Sequence, residues 1–382
     1  MEKNLTSGSG LKNIVYFSLP YLLPYFLQTL CGVADLMFIG QFEGVADTTA
    51  VSIGSQVMHM LTVMIVGLAM GTTVSIGQAI GANDKRRAAN AIGNTVTLFA
   101  VVAAGMFAIL LLLVNPILQV MSTPQEAVAG TRIYLTICFV GIPFIIAYNV
   151  ISSIFRGLGD SKSPMYFIAI ACVINIALDY LFMGAFHMGA AGAALGTTLS
   201  QAVSVVISLF MIRKKKMGIA LKKQNLRPKR RVMGQILNIG VPVALQDGFI
   251  QVAFLVITII ANRRGLNQAA AVGIVEKIIS FLFLVPSSML SSVSALAAQN
   301  IGAGKTERIP LGFRTGLKLS EFTALPFVML YVIFSRQMMG LFLGAESVEA
   351  ISAGMAFLKI VSPWYFMIAI KLMTDGIIRG SG

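Results

Sequence analysis

Asn175 and Asp179 stand four residues apart inside the apolar stretch Met165 to Met183, so on a helix they share one face. Their neighbours Ile168, Ile170, Val173, Ile174, Ile176, Leu178, Leu181 and Phe182 are all apolar, and the stretch is long enough to cross a bilayer. A carboxylate at that depth is costly unless it pairs, takes up a proton or lines a wet cavity. Two chemistries follow: a structural carboxylate capped by Asn175 or a neighbouring helix, or a cation or proton site. The second is the stronger reading.

The rest of the chain is built to hold such a residue in a membrane. Hydrophobic residues make up 57% of the 382 and charged residues only 12%, about half the charge fraction of soluble domains. The apolar segments are too long for barrel strands and lack their alternation, which leaves an all-α integral membrane protein. The net charge of +14 does not point to nucleic acid, because the basic residues sit in short loops between apolar runs. Cys31, Cys138 and Cys172 fall inside apolar runs with no CxxC, and there are two histidines in all; a disulfide framework or a His/Cys metal site is therefore not expected. His59 is read as a hydrogen-bonded interior residue.

Ten spans are predicted, at roughly 14–39, 50–78, 89–114, 131–155, 164–184, 191–212, 235–261, 269–298, 313–337 and 350–378. The connections alternate in charge. Lys85, Arg86 and Arg87, then Arg156 and Lys162, the run Arg213 to Arg231, and Lys305 with Arg308 mark one side; Glu43, Asp47, the His187 turn, Glu346 and Glu349 mark the other. A multi-pass protein of the cell membrane with a cytoplasmic N-terminus follows. The run Arg213 to Arg231 is the natural linker, dividing the chain into an N-terminal lobe of six spans (1–212), a basic cytoplasmic linker (213–234) and a C-terminal lobe of four spans (235–382). Such a run can also bind anionic lipid.

The chain repeats itself. Gln78-Ala-Ile-Gly81-Ala returns as Gln299-Asn-Ile-Gly302-Ala, Pro20 returns as Pro242, and Phe155-Arg156-Gly157-Leu-Gly159 returns as Ile378-Arg379-Gly380-Ser-Gly382, all at an offset of about 222 residues. With an even number of spans in the first unit, the units are parallel repeats about an axis along the membrane normal, an arrangement of secondary transporters. Carried through, the offset places the end of the second unit about 50 residues and two helices beyond Gly382, so the sequence is read as a fragment lacking the counterparts of spans five and six.

Pro20, Gln28, Asp35 and Gly40 in and after the first span, the repeated glutamine motif, and Arg156-Gly-Leu-Gly-Asp160-Ser-Lys-Ser-Pro164 together resemble the multidrug and toxic compound extrusion (MATE) family over essentially the whole chain. The resemblance implies two six-helix lobes around a central cleft, alternating access, and export of organic cations driven by inward H⁺ or Na⁺. It also implies a cation site in the first lobe, for which Asp35, Asn175, Asp179 and Thr197 match residue by residue, with Asn149 as a deeper neighbour.

Depth is an independent check on that set. Asp35, Asp179 and Thr197 each lie five or six residues from the same end of their spans, about 7–9 Å from the membrane edge, so they can share a layer. Two carboxylates in a low-dielectric pocket cannot both stay charged without a cation, which makes a proton carrier; added amide and hydroxyl oxygens also suit Na⁺, and the sequence leaves both ions open. Thr197 can instead bond its own helix, and Asp35 can simply cap span one. Pro20 and Pro24 kink the first span, as static bends or as a hinge at Pro20.

The second lobe departs from the first. Gln251 stands where Gln28 would map, but no acid replaces Asp35. Gln28, Gln251, Glu276 and Asp375 are candidates for substrate contact; Lys371 and Asp375 can also simply pair, and Asp247 lies near the cytoplasmic end of its span. The 21 Met and 24 Phe mostly fill helix contacts, although thioethers and aromatic faces suit varied flat cations. No nucleophile elbow, P-loop or HExxH is present, so neither catalysis nor a cofactor is implied. The favoured function is a monomeric, ion-coupled multidrug exporter meeting small organic cations and membrane lipids. A flippase for a lipid-linked saccharide is the rival and would favour a basic cleft; a membrane enzyme and a channel are further alternatives.

Overall fold

A computed structural model of the chain describes residues 5–6, 10–42, 45–214, 222–264, 266–340 and 348–382. Side chains at 10–12, 32–37, 39–41, 45, 214, 262, 266–267, 269–270 and 277 lie outside that description. The side chains of Asp35, Gly40 and Lys277, and residues Glu43 and Glu346 altogether, therefore fall outside the described part, as do residues 215–221 of the linker.

Among the described residues there is no strand. The helices are α1 (Gly10–Phe42), α2 (Val45–Gly81), α3 (Lys85–Val120), α4 (Gln125–Gly157), α5 (Lys162–Asp179), α6 (Gly189–Lys214), α7 (Arg230–Arg263), α8 (Leu266–Gly302), α9 (Ile309–Ile333), α10 (Ser335–Gly340), α11 (Val348–Val361) and α12 (Tyr365–Ser381). A π turn, Tyr180–Ala185, continues α5. Ten segments among the described residues are long and apolar enough to span a membrane, matching the ten runs of the sequence.

The helices outrun those apolar runs at their ends. α3 begins at Lys85, where the Asp84 carboxylate accepts the Arg87 N–H at 2.8 Å, so a cap rather than hydropathy sets the start. Two spans read as continuous are broken. The ninth ends at Ile333 and is followed by the short α10. The tenth divides at the 3₁₀ turn Ser362–Trp364, where Pro363 has no N–H to donate to the preceding turn.

α2, α3, α4 and α6 close around a core that includes Ala50, Ile92, Leu135, Phe139, Ile142 and Ala194, joined by Ile236 of α7. A second core gathers Val275, Leu282, Val328, Leu358 and Tyr365 from α8, α9, α11 and α12, with the Tyr331 hydroxyl donating to the Ile278 carbonyl at 2.9 Å. The halves meet at the end that carries the basic loops. Gln78 and Gln299, with the glycines three residues after each, pack on one another reciprocally: a Cβ on Gly81 would strike the Gln299 carbonyl, and one on Gly302 the Gln78 carbonyl. The repeated motif is thus a contact of the two repeats with each other. Further along, Gly67 and Gly71 of α2 lie directly on the α7 backbone at Ala244 and Ile236, an approach only glycine allows.

α1 belongs to both halves. Its first part, with Ile14, Phe17 and Tyr21, packs with Met289, Leu290, Val293 and Met373 of α8 and α12. Its last part lies on α5, with Phe38 and Phe42 edge-on to Tyr180 at 6.2 and 6.1 Å. Pro20 and Pro24 stand between the two, and the helix runs unbroken through them.

Candidate ion-coupling site

The Asn175 Nδ2 donates to Asp179 Oδ2 at 3.0 Å. Asp179 is fully enclosed (0% exposed) and Asn175 nearly so. The four-residue spacing that predicts one shared face is therefore realised as a direct bond. α6 supplies the lid: a Cβ on Gly196 would collide with Asp179 Oδ1, so glycine is what lets α6 come down on the carboxylate. Immediately after Asp179 the backbone leaves α geometry for the π turn, a departure that recurs at functional sites.

A hydrogen bond to a charged group contributes about 1.5–3 kcal/mol. Enclosing an ion costs several kcal/mol even after relaxation.

The remaining members of the predicted set are distributed as follows. Thr197 follows Gly196 and is partly exposed; its carbonyl accepts the Ser200 hydroxyl at 2.8 Å, while its own hydroxyl makes no hydrogen bond among the described residues. Asn149 is buried but spends its amide on the Ile145 carbonyl of its own helix, at 2.8 Å. No hydrogen bond joins it to the Asn175–Asp179 pair among the described residues. The Asp35 backbone lies in α1, four residues after Cys31 and three before Phe38. Both flanking residues are fixed on α5, at Cys172 and Tyr180, so position 35 is level with Asn175 and Asp179.

The Cys31–Cys172 contact is a disulfide, with Cα atoms 6.0 Å apart, a bridge not expected from the cysteine spacing. Long-range pairing of two cysteines leaves no local pattern; their shared depth on two helices running the same way was the available signal. His59 is exposed on α2 rather than hydrogen-bonded inside.

The candidates for substrate contact divide. Gln28 is exposed and Gln251 partly so. Glu276 is half-buried, and its Oε1 is enclosed with no hydrogen-bond partner among the described residues. Asp375 is committed elsewhere: Lys371 Nζ lies 2.6 Å from its Oδ2, and Gln246 Nε2 donates to the same oxygen at 3.1 Å. Gln246 in turn accepts from Arg379 Nη2 at 3.1 Å, and Arg379 pairs with Asp247 at 2.6 Å. Sequence reasoning noted Asp247 and Arg379 separately and missed this network. Among the described residues no group of three His, Cys, Asp or Glu could hold a metal ion.

Parallel helical repeats with an enclosed carboxylate in a membrane span are the architecture of a membrane transport protein. The profile of the MatE family matches residues 20–181 and 242–382, and the chain belongs to that family of transporters, which are not enzymes. It is 31% identical over 380 residues to the "Probable multidrug resistance protein YpnP" of Bacillus subtilis (strain 168), covering 99% of this chain and 84% of that protein. Its fold matches the solved "Outward-facing conformation of a multidrug resistance MATE family transporter of the MOP superfamily" with TM-score 0.90 at 22% identity, covering 99% of this chain and 84% of that one. A transporter of the same superfamily from Pyrococcus furiosus, solved under the words "Reverse polarity of binding pocket suggests different function", matches with TM-score 0.92 at 23% identity, again over 99% and 84%.

Proposed function

We propose that the protein is a secondary active exporter of organic cations, working by antiport against H⁺ or Na⁺ through alternating access. The observation that carries this reading is the enclosed Asn175–Asp179 pair under Gly196, an acid buried inside a membrane span, where a carboxylate is costly and marks an ion or proton path. Asp179 carries the coupling ion, Asn175 orients its carboxylate, Asp35 supplies the second acid from α1, and Thr197 and Asn149 border the pocket. Gln28, Gln251 and Glu276 contact substrate, and Asp375 tunes the second half through its network.

Support for multidrug export comes from the name borne by the 31% identical relative. The division is an N-terminal lobe (1–212), a basic linker (213–234) and a C-terminal lobe (235–382), with the N-terminus cytoplasmic and the chain monomeric. Pro20 is the hinge by which α1 serves both halves.

The deciding experiment is uptake of a fluorescent cation by inverted vesicles, with a pH gradient and a Na⁺ gradient imposed separately. Uptake driven by one gradient and abolished by its collapse is the expected result. Uptake indifferent to both, or confined to anionic compounds, would move the assignment to a flippase.

A further inference from the structure

Between α2, α3 and α7, at the end where the halves meet, lies a cavity of about 210 Å³ lined by Ser75, Asp84, Arg86, Arg87, Asn90 and Gln235 among others. Sites for drug-sized ligands run to about 300–1,000 Å³, so this one is too small for the exported class; a small headgroup with attendant waters fits, at about 30 Å³ per water. Its lining is rich in donors. Neither the Arg86 nor the Arg87 side chain has an ion-pair partner among the described residues. The Asn90 oxygen is occupied, accepting Lys229 Nζ at 2.7 Å and Asn225 Nδ2 at 2.9 Å, which leaves its NH₂ as a donor. The one acid, Asp84, turns a carboxylate oxygen back on the Arg87 N–H. Exposed Arg230 and Arg231 stand beside it at the start of α7.

We propose that this cavity binds a phosphate-bearing anion, and by its place at the ends of two spans, the headgroup of an acidic phospholipid. Two guanidinium groups recognise phosphate oxygens in bidentate fashion, and basic side chains at a membrane surface gather anionic lipid. The lining comes from both halves, α2 and α3 on one side and α7 on the other. The occupied site therefore joins the halves, and it forms only while α2 and α3 are packed on α7. Nothing in this depends on which ion drives transport.

The test is native mass spectrometry of the detergent-purified chain titrated with phosphatidylglycerol, phosphatidylcholine and inorganic phosphate. Phosphatidylglycerol should bind the unaltered chain, with phosphatidylcholine at least about tenfold weaker. R86Q/R87Q should weaken phosphatidylglycerol by about tenfold or more. R86K/R87K, which keeps charge but loses the planar fork, should weaken it about threefold and decides the matter if the glutamine variant does not fold. K222Q/K223Q removes two charges from the basic linker, outside the cavity lining, and should change nothing. Equal weakening by K222Q/K223Q, undiminished binding to both arginine variants, or displacement of the lipid by millimolar inorganic phosphate would each overturn the assignment, the last in favour of a soluble anion.

Discussion

At corresponding places in the two repeats, Arg156 and Arg379 keep different company. Arg156 Nη2 donates to the neutral Ser153 hydroxyl on its own helix at 2.7 Å. Arg379 crosses to α7, meeting the Asp247 carboxylate at 2.6 and 3.3 Å and the Gln246 oxygen at 3.1 Å. The place of Asp247 in the first repeat falls at Pro24 or Tyr25, neither of them an acid. In the second half, then, positive and negative groups are matched within one network, Arg379 with Asp247 and Lys371 with Asp375. In the first half the acid in the span, Asp179, is bonded to a neutral amide. The second half thus carries a paired network that ties α7 to α12, with Glu276 outside it, whereas the acid proposed as ion carrier in the first half is bonded to an amide of its own helix.

The hardest blow to this contrast is Asp179→Asn. It should cut gradient-driven export more than about tenfold while leaving the chain folded, because the neutral amide removes the carrier but keeps the shape; wild-type transport at matched expression would end the distinction between the halves. Gly196→Ala should approach that loss by pressing a methyl group onto the Asp179 carboxylate, with folding checked by size-exclusion profile; a variant that transports normally would show that the close approach of α6 is incidental.

Next in size, Asp247→Ala should lower stability by about 2–3 kcal/mol, since Arg379 is left without its partner. The double change Asp247→Leu with Arg379→Met should recover most of that loss in a thermal unfolding assay. A double variant as unstable as the single one would mean that the pair does more than cancel charge. Pro20→Ala should slow turnover several-fold and leave equilibrium substrate affinity within about threefold; the reverse pattern would make the residue part of the pocket. The smallest effect belongs to Lys371→Ala. Its side chain is 45% exposed, so its loss should change stability by less than about 0.5 kcal/mol.

What was legible in the sequence was what repeats locally. Hydropathy places all ten spans, and the four-residue spacing of Asn175 and Asp179 predicts their shared face. The repeated glutamine motif reveals two parallel units. Contacts between distant segments were hidden: the Cys31–Cys172 bridge, the Arg379–Asp247 pair and the seating of Gly67 and Gly71 on α7 each join positions with no shared periodicity. Arg379 was legible as part of a repeat, but its partner follows from how α7 and α12 cross. The breaks after Ile333 and at Ser362–Trp364 were missed because hydropathy is continuous through both, whereas the backbone responds to a single proline at 363 and to packing.

α1 is a lever with its two arms clamped to different bodies. The disulfide at Cys31 and the rings at Phe38 and Phe42 hold one arm to α5. Pro20, the proposed hinge, lies ten residues from Gly10, about 15 Å along the axis. A change of 10° in the bend there would carry the start of the helix sideways by about 2.5 Å. Just before it, the Leu5 N–H reaches Gln299 Oε1 at 3.1 Å, a bond with only a few tenths of an ångström to spare. A flexure at Pro20 of the proposed kind would therefore displace the start of α1 by more than a hydrogen bond of this length tolerates.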